Sequence, residues 1–373
     1  MKTRIRIPIA RPLITDDEKR RVLAVLDSGH LVAGSQVRAF EQAFAAYLGL
    51  PFAAATSSGT TALQVALEAL GIGRGDAVIT TPLTFVATSN AILYAGARPV
   101  FVDVDEQTAN LDPNQVEDAL RRERAKAVLP VHLYGLPADL EALVEITARW
   151  DALLVEDCAQ AHGAMIHGRK AGTFGQAAIF SFYPTKNMTT GEGGMVVTSR
   201  EAVAQRAAVL VNAGQNGGEE YLYDRIGYNY RMTEMAAAIG LGQLTRLDEQ
   251  NALRRRNASR LTAGLRDLGW LAPPAEPPGF HHVYNQYTVR IAADRDRLVR
   301  HLTARGIASR VYYPQLIPHS PAYRRLGFGG SSFPVAERLT AQVLSLPVHP
   351  GLSEDDVDWI IESVRAFPGE AQG

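Results

Sequence analysis

The chain contains five lysines, Lys2, Lys19, Lys126, Lys170 and Lys186, and arginine supplies most of its positive charge. Four have ordinary surroundings. Lys2 is terminal, Lys19 and Lys126 lie in charged runs that read as solvated faces, and Lys170 sits in His167-Gly168-Arg169-Lys170-Ala171-Gly172, the pattern of an exposed hairpin turn. Lys186 differs. It follows the apolar run Ala177–Phe182 and the turn Tyr183-Pro184-Thr185, and it precedes Asn187-Met188-Thr189-Thr190-Gly191-Glu192-Gly193-Gly194. Three glycines in four positions permit close backbone approach or positive φ. A lysine in such a loop can be a phosphate contact, an ion-pair partner or a nucleophile. Upstream, Leu153-Leu154-Val155-Glu156-Asp157 is a strand-like run ending in two acids, followed by Cys158-Ala159-Gln160-Ala161-His162-Gly163. An acid there either faces a cleft at the strand's C-terminal end or caps a loop or pairs at the surface. Ser57-Ser58-Gly59-Thr60-Thr61 opens a helix pattern, and is an anion site or simply a helix cap. It lacks the glycine spacings of a P-loop and of a dinucleotide fold. Phe85, in Pro82-Leu83-Thr84-Phe85-Val86-Ala87-Thr88, offers a ring face in a cleft or core packing.

These groups meet only if a scaffold gathers them. At 373 residues the chain exceeds the roughly 250–300 at which single cores stop growing. We therefore expect a large domain, 1–245, and a smaller one, 246–373. Candidate strands are Ala77–Thr80, Val100–Val104, Ala127–Leu133, Leu153–Asp157, Ala177–Phe182 and Met195–Thr198. A first helix opens at Thr15-Asp16-Asp17-Glu18, a capping-box pattern. A second spans Thr60–Leu70 with Gly71 as its stop. Strands alternating with helices predict an α/β fold with a mostly parallel sheet flanked by helices, its functional residues at the strands' C-terminal ends. A long helical pattern covers 233–268, and Pro273, Pro274, Pro277 and Pro278 break it. A strand His282–Ile291, a helix Arg295–Gly306, a strand Ala308–Tyr313 and two last helical stretches predict a small α+β unit.

Composition narrows the function classes. Lys+Arg 38 against Asp+Glu 39 argues against a nucleic-acid or anionic-membrane partner. No run approaches 18 apolar residues, so no membrane span is expected, and the N-terminus lacks a signal-peptide core. A single cysteine, Cys158, excludes an internal disulfide and fits a cytoplasmic location. The nine histidines show no metal-ligand spacing, so no metal is expected.

Together the four motifs fit one cofactor, pyridoxal phosphate. It needs a phosphate cradle, an aromatic face, a carboxylate for its pyridine nitrogen and a lysine for a Schiff base. At this point the chain resembles the DegT/DnrJ/EryC1/StrS family of fold-type-I sugar aminotransferases. The resemblance runs from Ile7-Pro8-Ile9-Ala10-Arg11-Pro12 through Phe40-Glu41, Ser57–Thr60 and Thr84–Thr88. It continues through Glu156–Gly163, Ser181–Gly194 and Gly227-Tyr228-Asn229-Tyr230-Arg231-Met232, and ends with Leu346–Ser353. Asp157-x-x-Gln160-x-His162 and Lys186-(x)4-Gly191-Glu192-Gly193-Gly194, with 29 positions from Asp157 to Lys186, are its most specific marks.

The resemblance implies that Lys186 forms the Schiff base, Asp157 pairs with the pyridine nitrogen and Gln160 contacts the 3′-oxygen. It implies that Phe85 stacks on the cofactor and that Gly59, Thr60 and Ser181 bind its phosphate. Asn229 falls where relatives reach the neighbouring subunit's phosphate, which implies a homodimer with shared sites. Tyr183, Tyr313 and His319 match the substrate side, and His162 lies near the cofactor or is simply a packed histidine. The implied reaction moves an amino group from an amino acid, L-glutamate foremost, to a keto group of a nucleotide-linked sugar. The stretch Gly227–Glu234 looks most like members acting on 4-keto-6-deoxy sugars; a keto-cyclitol or a 3-keto sugar is the alternative. Rival readings are a sugar dehydratase of the same family, in which histidine replaces the lysine, a non-catalytic regulator, and a nucleotide-binding oxidoreductase. Lys186 and the missing dinucleotide fingerprint oppose them.

Overall fold

The computed structural model describes residues 5–216 and 221–368. Short apolar runs form a seven-stranded sheet: β1 (Phe52–Thr56), β2 (Ala77–Thr80), β3 (Arg98–Phe101), β4 (Ala127–Leu129), β5 (Leu153–Asp157), β6 (Ala177–Ser181) and β7 (Gly194–Thr198). Their spatial order is β1-β7-β6-β5-β4-β2-β3. β7 alone runs against the rest, between β1 and β6. Neighbours from β6 to β3 are all parallel.

Strand residues alternate faces, so the sheet serves two cores. Leu154, Ala178 and Phe180 pack with Phe40 and Phe44 on one side. Val155, Ile179 and Val196 pack with Leu63 and Leu67 of the Gly59–Ala69 helix on the other. Helices therefore cover both faces, as a mostly parallel sheet requires.

A second, three-stranded antiparallel sheet of β8 (Leu271–Ala272), β9 (Tyr287–Ile291) and β10 (Val343–Leu346) has its own core with the Leu247–Leu265 and Glu354–Arg365 helices. Ile7 of the N-terminal segment joins that core and bridges to Ile307. No described helix is long and apolar enough to cross a membrane.

Several element boundaries differ from expectation, each for a local reason. β4 stops at Leu129, before Pro130, which has no N–H to continue the ladder. β3 spans Arg98–Phe101 rather than 100–104, in register with β2. Asp103 instead accepts the Val335 and Ala336 N–H groups at the start of the Pro334–Gln342 helix. The long helical pattern divides into Glu234–Leu244 and Leu247–Leu265, and Arg246 at the break pairs with buried Glu18. Glu18 also takes the Thr15 N–H, which completes the expected capping box. Residues 308–313 contribute only a bridge, Arg310 to Ser345, and of His282–Ile291 only the last five residues are strand.

Candidate active site

β5 and β6 are neighbours, and both end at one cleft on the sheet's C-terminal edge. Asp157, the last residue of β5, is buried. Its Oδ2 accepts from the Thr88 hydroxyl at 2.8 Å and its Oδ1 from the Ala159 N–H at 3.1 Å. Burial pushes its carboxyl above the ordinary range, and these two donors and the Lys186 charge pull it back. Lys186 follows β6 on the turn begun by Tyr183, whose carbonyl accepts the Lys186 N–H. Burial lowers the Lys186 ammonium to about 8 against the opposing pull of Asp157. The result is a buried carboxylate within electrostatic reach of an amine that sheds its proton near neutral pH, the combination a nucleophilic lysine needs.

Gln160 lies one turn beyond Asp157. Its Oε1 accepts the Tyr134 N–H at 2.7 Å, and its Nε2 donates to the Tyr313 hydroxyl at 3.1 Å. The Tyr313 ring stands 6.4 Å from that of Phe85. Phe85 keeps 56% of its surface exposed, and Tyr183 keeps 49%. Both present open ring faces rather than joining the core.

The Gly59–Ala69 helix starts against β6. Ser58 caps it, accepting the Thr61 N–H, while the Gly59 and Thr60 N–H groups precede the first intrahelical bonds. A Cβ on Gly59 would stand 2.6 Å from the Ser181 Cβ, so only glycine lets the positive helix end come this close to the Ser181 hydroxyl. The Ser57 N–H donates to the Tyr230 carbonyl at 2.7 Å, which draws the 228–231 segment alongside. Tyr228 and Tyr230 stack and bond to Glu68 and Gln64 of the same helix. Asn229 between them is exposed and pairs only its backbone, with Asn212.

Not every expected residue joins this cluster. The His319 ring bonds to the Ser331 carbonyl at 2.9 Å and lies against Phe333, and among the described residues it makes no hydrogen bond to Asp157, Gln160 or Lys186. His162 is fully buried between Phe180 and Phe182 and is held neutral, burial lowering it to about 3. Lys170 belongs to the expected hairpin, but it is half-buried over the Tyr47 ring and bonded to the Tyr47 carbonyl. Glu156 turns to the opposite face from Asp157. There it accepts from Gly172, Phe174 and Gly175 N–H groups and from His132. His132, Glu156 and Cys158 form a cluster of metal-ligand types, but His132 and Glu156 spend their lone pairs and protons on the protein. It is a packing device.

Two groups of site residues escape sequence reasoning. Thr88 is one; its signal is the Phe85-x-x-Thr88 spacing, which places it a turn after the aromatic. The other is an amide chain behind Lys186. Asn285 Nδ2 donates to the Thr185 carbonyl and to Asn187 Oδ1, Asn187 Nδ2 to Asn251 Oδ1, and Asn251 Nδ2 to the His162 carbonyl.

A carboxylate held by neutral donors in so dry a place is matched to a cationic nitrogen, and the nearby amine to an aldehyde. The glycine-lined helix start suits a phosphate. Pyridoxal phosphate carries all three groups, and the fold and site define a pyridoxal-phosphate-dependent aminotransferase of fold type I. The chain belongs to the DegT/DnrJ/EryC1/StrS aminotransferase family, whose profile matches residues 12–365. It is 40% identical over 366 residues to a GDP-perosamine synthase of Caulobacter vibrioides, covering 96% of this chain and 97% of that one. It is 41% identical over 345 residues to a UDP-N-acetyl-3-dehydro-alpha-D-glucosamine 3-aminotransferase of Acidithiobacillus ferrooxidans, covering 91% of each. Among solved structures it is similar to S. venezuelae DesV in complex with a ketimine intermediate, with TM-score 0.90, 41% identity and 94% of each chain covered.

Proposed function

We propose that this enzyme transfers an amino group from L-glutamate to the keto carbon of a nucleotide-linked 4-keto-6-deoxy sugar. The observation that carries the reading is the Asp157–Lys186 pair at the ends of adjacent parallel strands. In this reading Lys186 holds the cofactor, Asp157 binds its pyridine nitrogen and Gln160 its 3′-oxygen. Phe85 stacks on the ring, and Gly59, Thr60 and Ser181 bind the phosphate. Bound pyridoxal phosphate supplies an electron sink for charge developing at the substrate carbon. The chain supplies the rest. Lys186 Nζ, poised near pH 8, takes and returns the proton at that carbon. Thr88 and the Ala159 N–H keep Asp157 aimed and charged. Tyr183 and Tyr313 line the substrate side.

The working unit in this reading is a homodimer in which Asn229 reaches the partner's phosphate site. Its support is an exposed apolar strip beside Asn229, with Tyr221 at 70%, Tyr223 at 55% and Ile226 at 90% exposure. The cofactor-binding unit covers 1–245, with the N-terminal segment crossing through Ile7 onto the core of the smaller unit, 246–373, and the protein works in the cytoplasm. A 3-keto sugar is the second reading, favoured by the likeness to the Acidithiobacillus 3-aminotransferase.

The test is the visible spectrum of purified protein before and after L-glutamate, followed by nucleotide-linked 4-keto and 3-keto sugars. Loss of the yellow band on glutamate and its return with one keto-sugar is the expected result. A band indifferent to glutamate refutes the donor, and return with the 3-keto sugar alone refutes the 4-keto assignment.

A further inference from the structure

Beside Lys186 lies a small cleft between the N-terminal segment 10–13, the turn 184–187 and the Leu247–Leu265 helix, which contributes Gln250 and Arg254. Three cationic residues line it, Arg11, Lys186 and Arg254, and among its described lining residues there is no acid. Arg254 and Gln250 are each only 5% exposed. Arg254 Nη1 reaches the Tyr284 and Asn285 carbonyls at the long distances of 3.4 and 3.5 Å. Arg254 Nε and Gln250 Nε2 have no hydrogen-bond partner at all.

Such donors are costly to leave unmade, more so on a charged group. Arginines nearby are treated differently: Arg246 pairs with Glu18 and Arg255 with Glu276. Burial alone sets the Arg254 guanidinium, lowering it to about 10 with no neighbouring carboxylate to raise it. The Arg254 and Lys186 charges both bear on His162, so the two cations share one neighbourhood. The space left is about 10 Å³, roughly the room one water-sized group occupies. A single carboxylate oxygen fits such a space.

We propose that Arg254 and Gln250 form the subsite that binds a carboxylate of the amino donor. This rests on the aminotransferase reading above. An α-amino acid brings its carboxylate within two bonds of the nitrogen it delivers, so its anion site must adjoin Lys186, where this cleft lies. A planar guanidinium with a free Nε–H is the donor geometry that recognises carboxylates.

The test uses the intact holoenzyme with Arg254→Met and Gln250→Glu variants. Two quantities are measured. One is the affinity for succinate, a dicarboxylate that cannot donate an amine, by calorimetry. The other is the ratio of kcat/KM for L-glutamate to that for benzylamine, which has no carboxylate. We expect both to fall by about 10- to 100-fold in each variant, the range of a hydrogen bond to a charged group. A folded variant that keeps wild-type succinate affinity and donor ratio overturns the proposal. So does a wild-type protein that binds chloride in the cleft but not succinate, which makes it an inorganic-anion site. If Arg254→Met fails to fold, Gln250→Glu, close in volume, gives the same reading. If no donor is turned over, the aminotransferase reading fails alone. Succinate titration then still decides the subsite, standing if the variants lose binding and falling if they keep it.

Discussion

Replacing Thr88 by valine tests how the chain controls the charge on Asp157. Thr88 is 1% exposed, and its hydroxyl donates to Asp157 Oδ2 at 2.8 Å. Valine keeps the shape and removes the O–H. A hydrogen bond to a charged acceptor contributes about 1.5–3 kcal/mol. It acts on the ionised form, so its loss raises the Asp157 pKa further. The sign of the stability effect follows. The folded-state pKa of Asp157 already lies above its ordinary value through burial. An acid shifted upward costs stability above its folded pKa, and the cost is relieved as pH falls through that pKa. The apo form of Thr88→Val should therefore be less stable than wild type by about 1.5–3 kcal/mol near pH 8, with the deficit shrinking toward pH 5. A smaller pH-independent loss comes from the neutral Thr84–Thr88 hydroxyl contact at 3.3 Å. Cofactor affinity should weaken over the same range, because a protonated Asp157 cannot pair with a pyridinium. Thermal unfolding and cofactor titration from about pH 5 to 9 measure both. A deficit constant across that range, with an unshifted acid limb for cofactor binding, would refute the argument that Thr88 biases the charge of Asp157.

Three further outcomes are expected. Lys186→Ala should abolish transamination while leaving the fold intact; in the wild-type apoenzyme the rate of covalent cofactor capture should rise with pH through about 8, read by absorbance. Gly59→Ala places a Cβ 2.6 Å from the Ser181 Cβ, so the helix start must retreat by about 1 Å to restore van der Waals contact. Cofactor affinity should then fall about 10-fold or more with unchanged circular dichroism, and Ser181→Gly in the same chain should relieve the steric part. Glu156→Gln sets an amide N–H₂ against two of the four donors, either the Phe174 and Gly175 N–H groups or the Gly172 N–H and His132, and should cost about 2–4 kcal/mol in urea unfolding while the absorbance of bound cofactor stays unchanged.

The candidate pair, Asp157 and Lys186, is legible in the sequence because the two lie at and just beyond the ends of adjacent strands, where fold class sets the edge of the sheet they reach. In a mostly parallel sheet the last residue of a buried strand faces the C-terminal cleft, and Asp157 ends β5 while Lys186 follows β6. Strand parity even separates the two adjacent acids. Asp157 shares a face with Val155, and Ser181 with Ile179, the face on which the Gly59–Ala69 helix packs. Glu156 shares the face of Leu154 and so turns away from that helix. What parity does not reveal is which face carries the Gly59–Ala69 helix, because both are equally apolar. The residues that tune the pair are harder still. Thr88 stands 69 positions from Asp157, and Asn251 and Asn285 lie 64 and 98 positions from Asn187. A lone threonine or asparagine has no period to mark it as buried; taken singly, each reads as a surface or turn residue. Only the docking of the long helix behind the Lys186 turn turns three such amides into one chain. The same holds where the helical pattern breaks at 245–246, since Arg246 meets its partner Glu18 across 228 positions. The proposed nucleophile and acid follow from local pattern plus sheet topology. Their pKa values are set first by burial and, for Asp157, then by polar contacts with distant segments, so a substitution at Thr88 can alter the chemistry without touching either member of the pair.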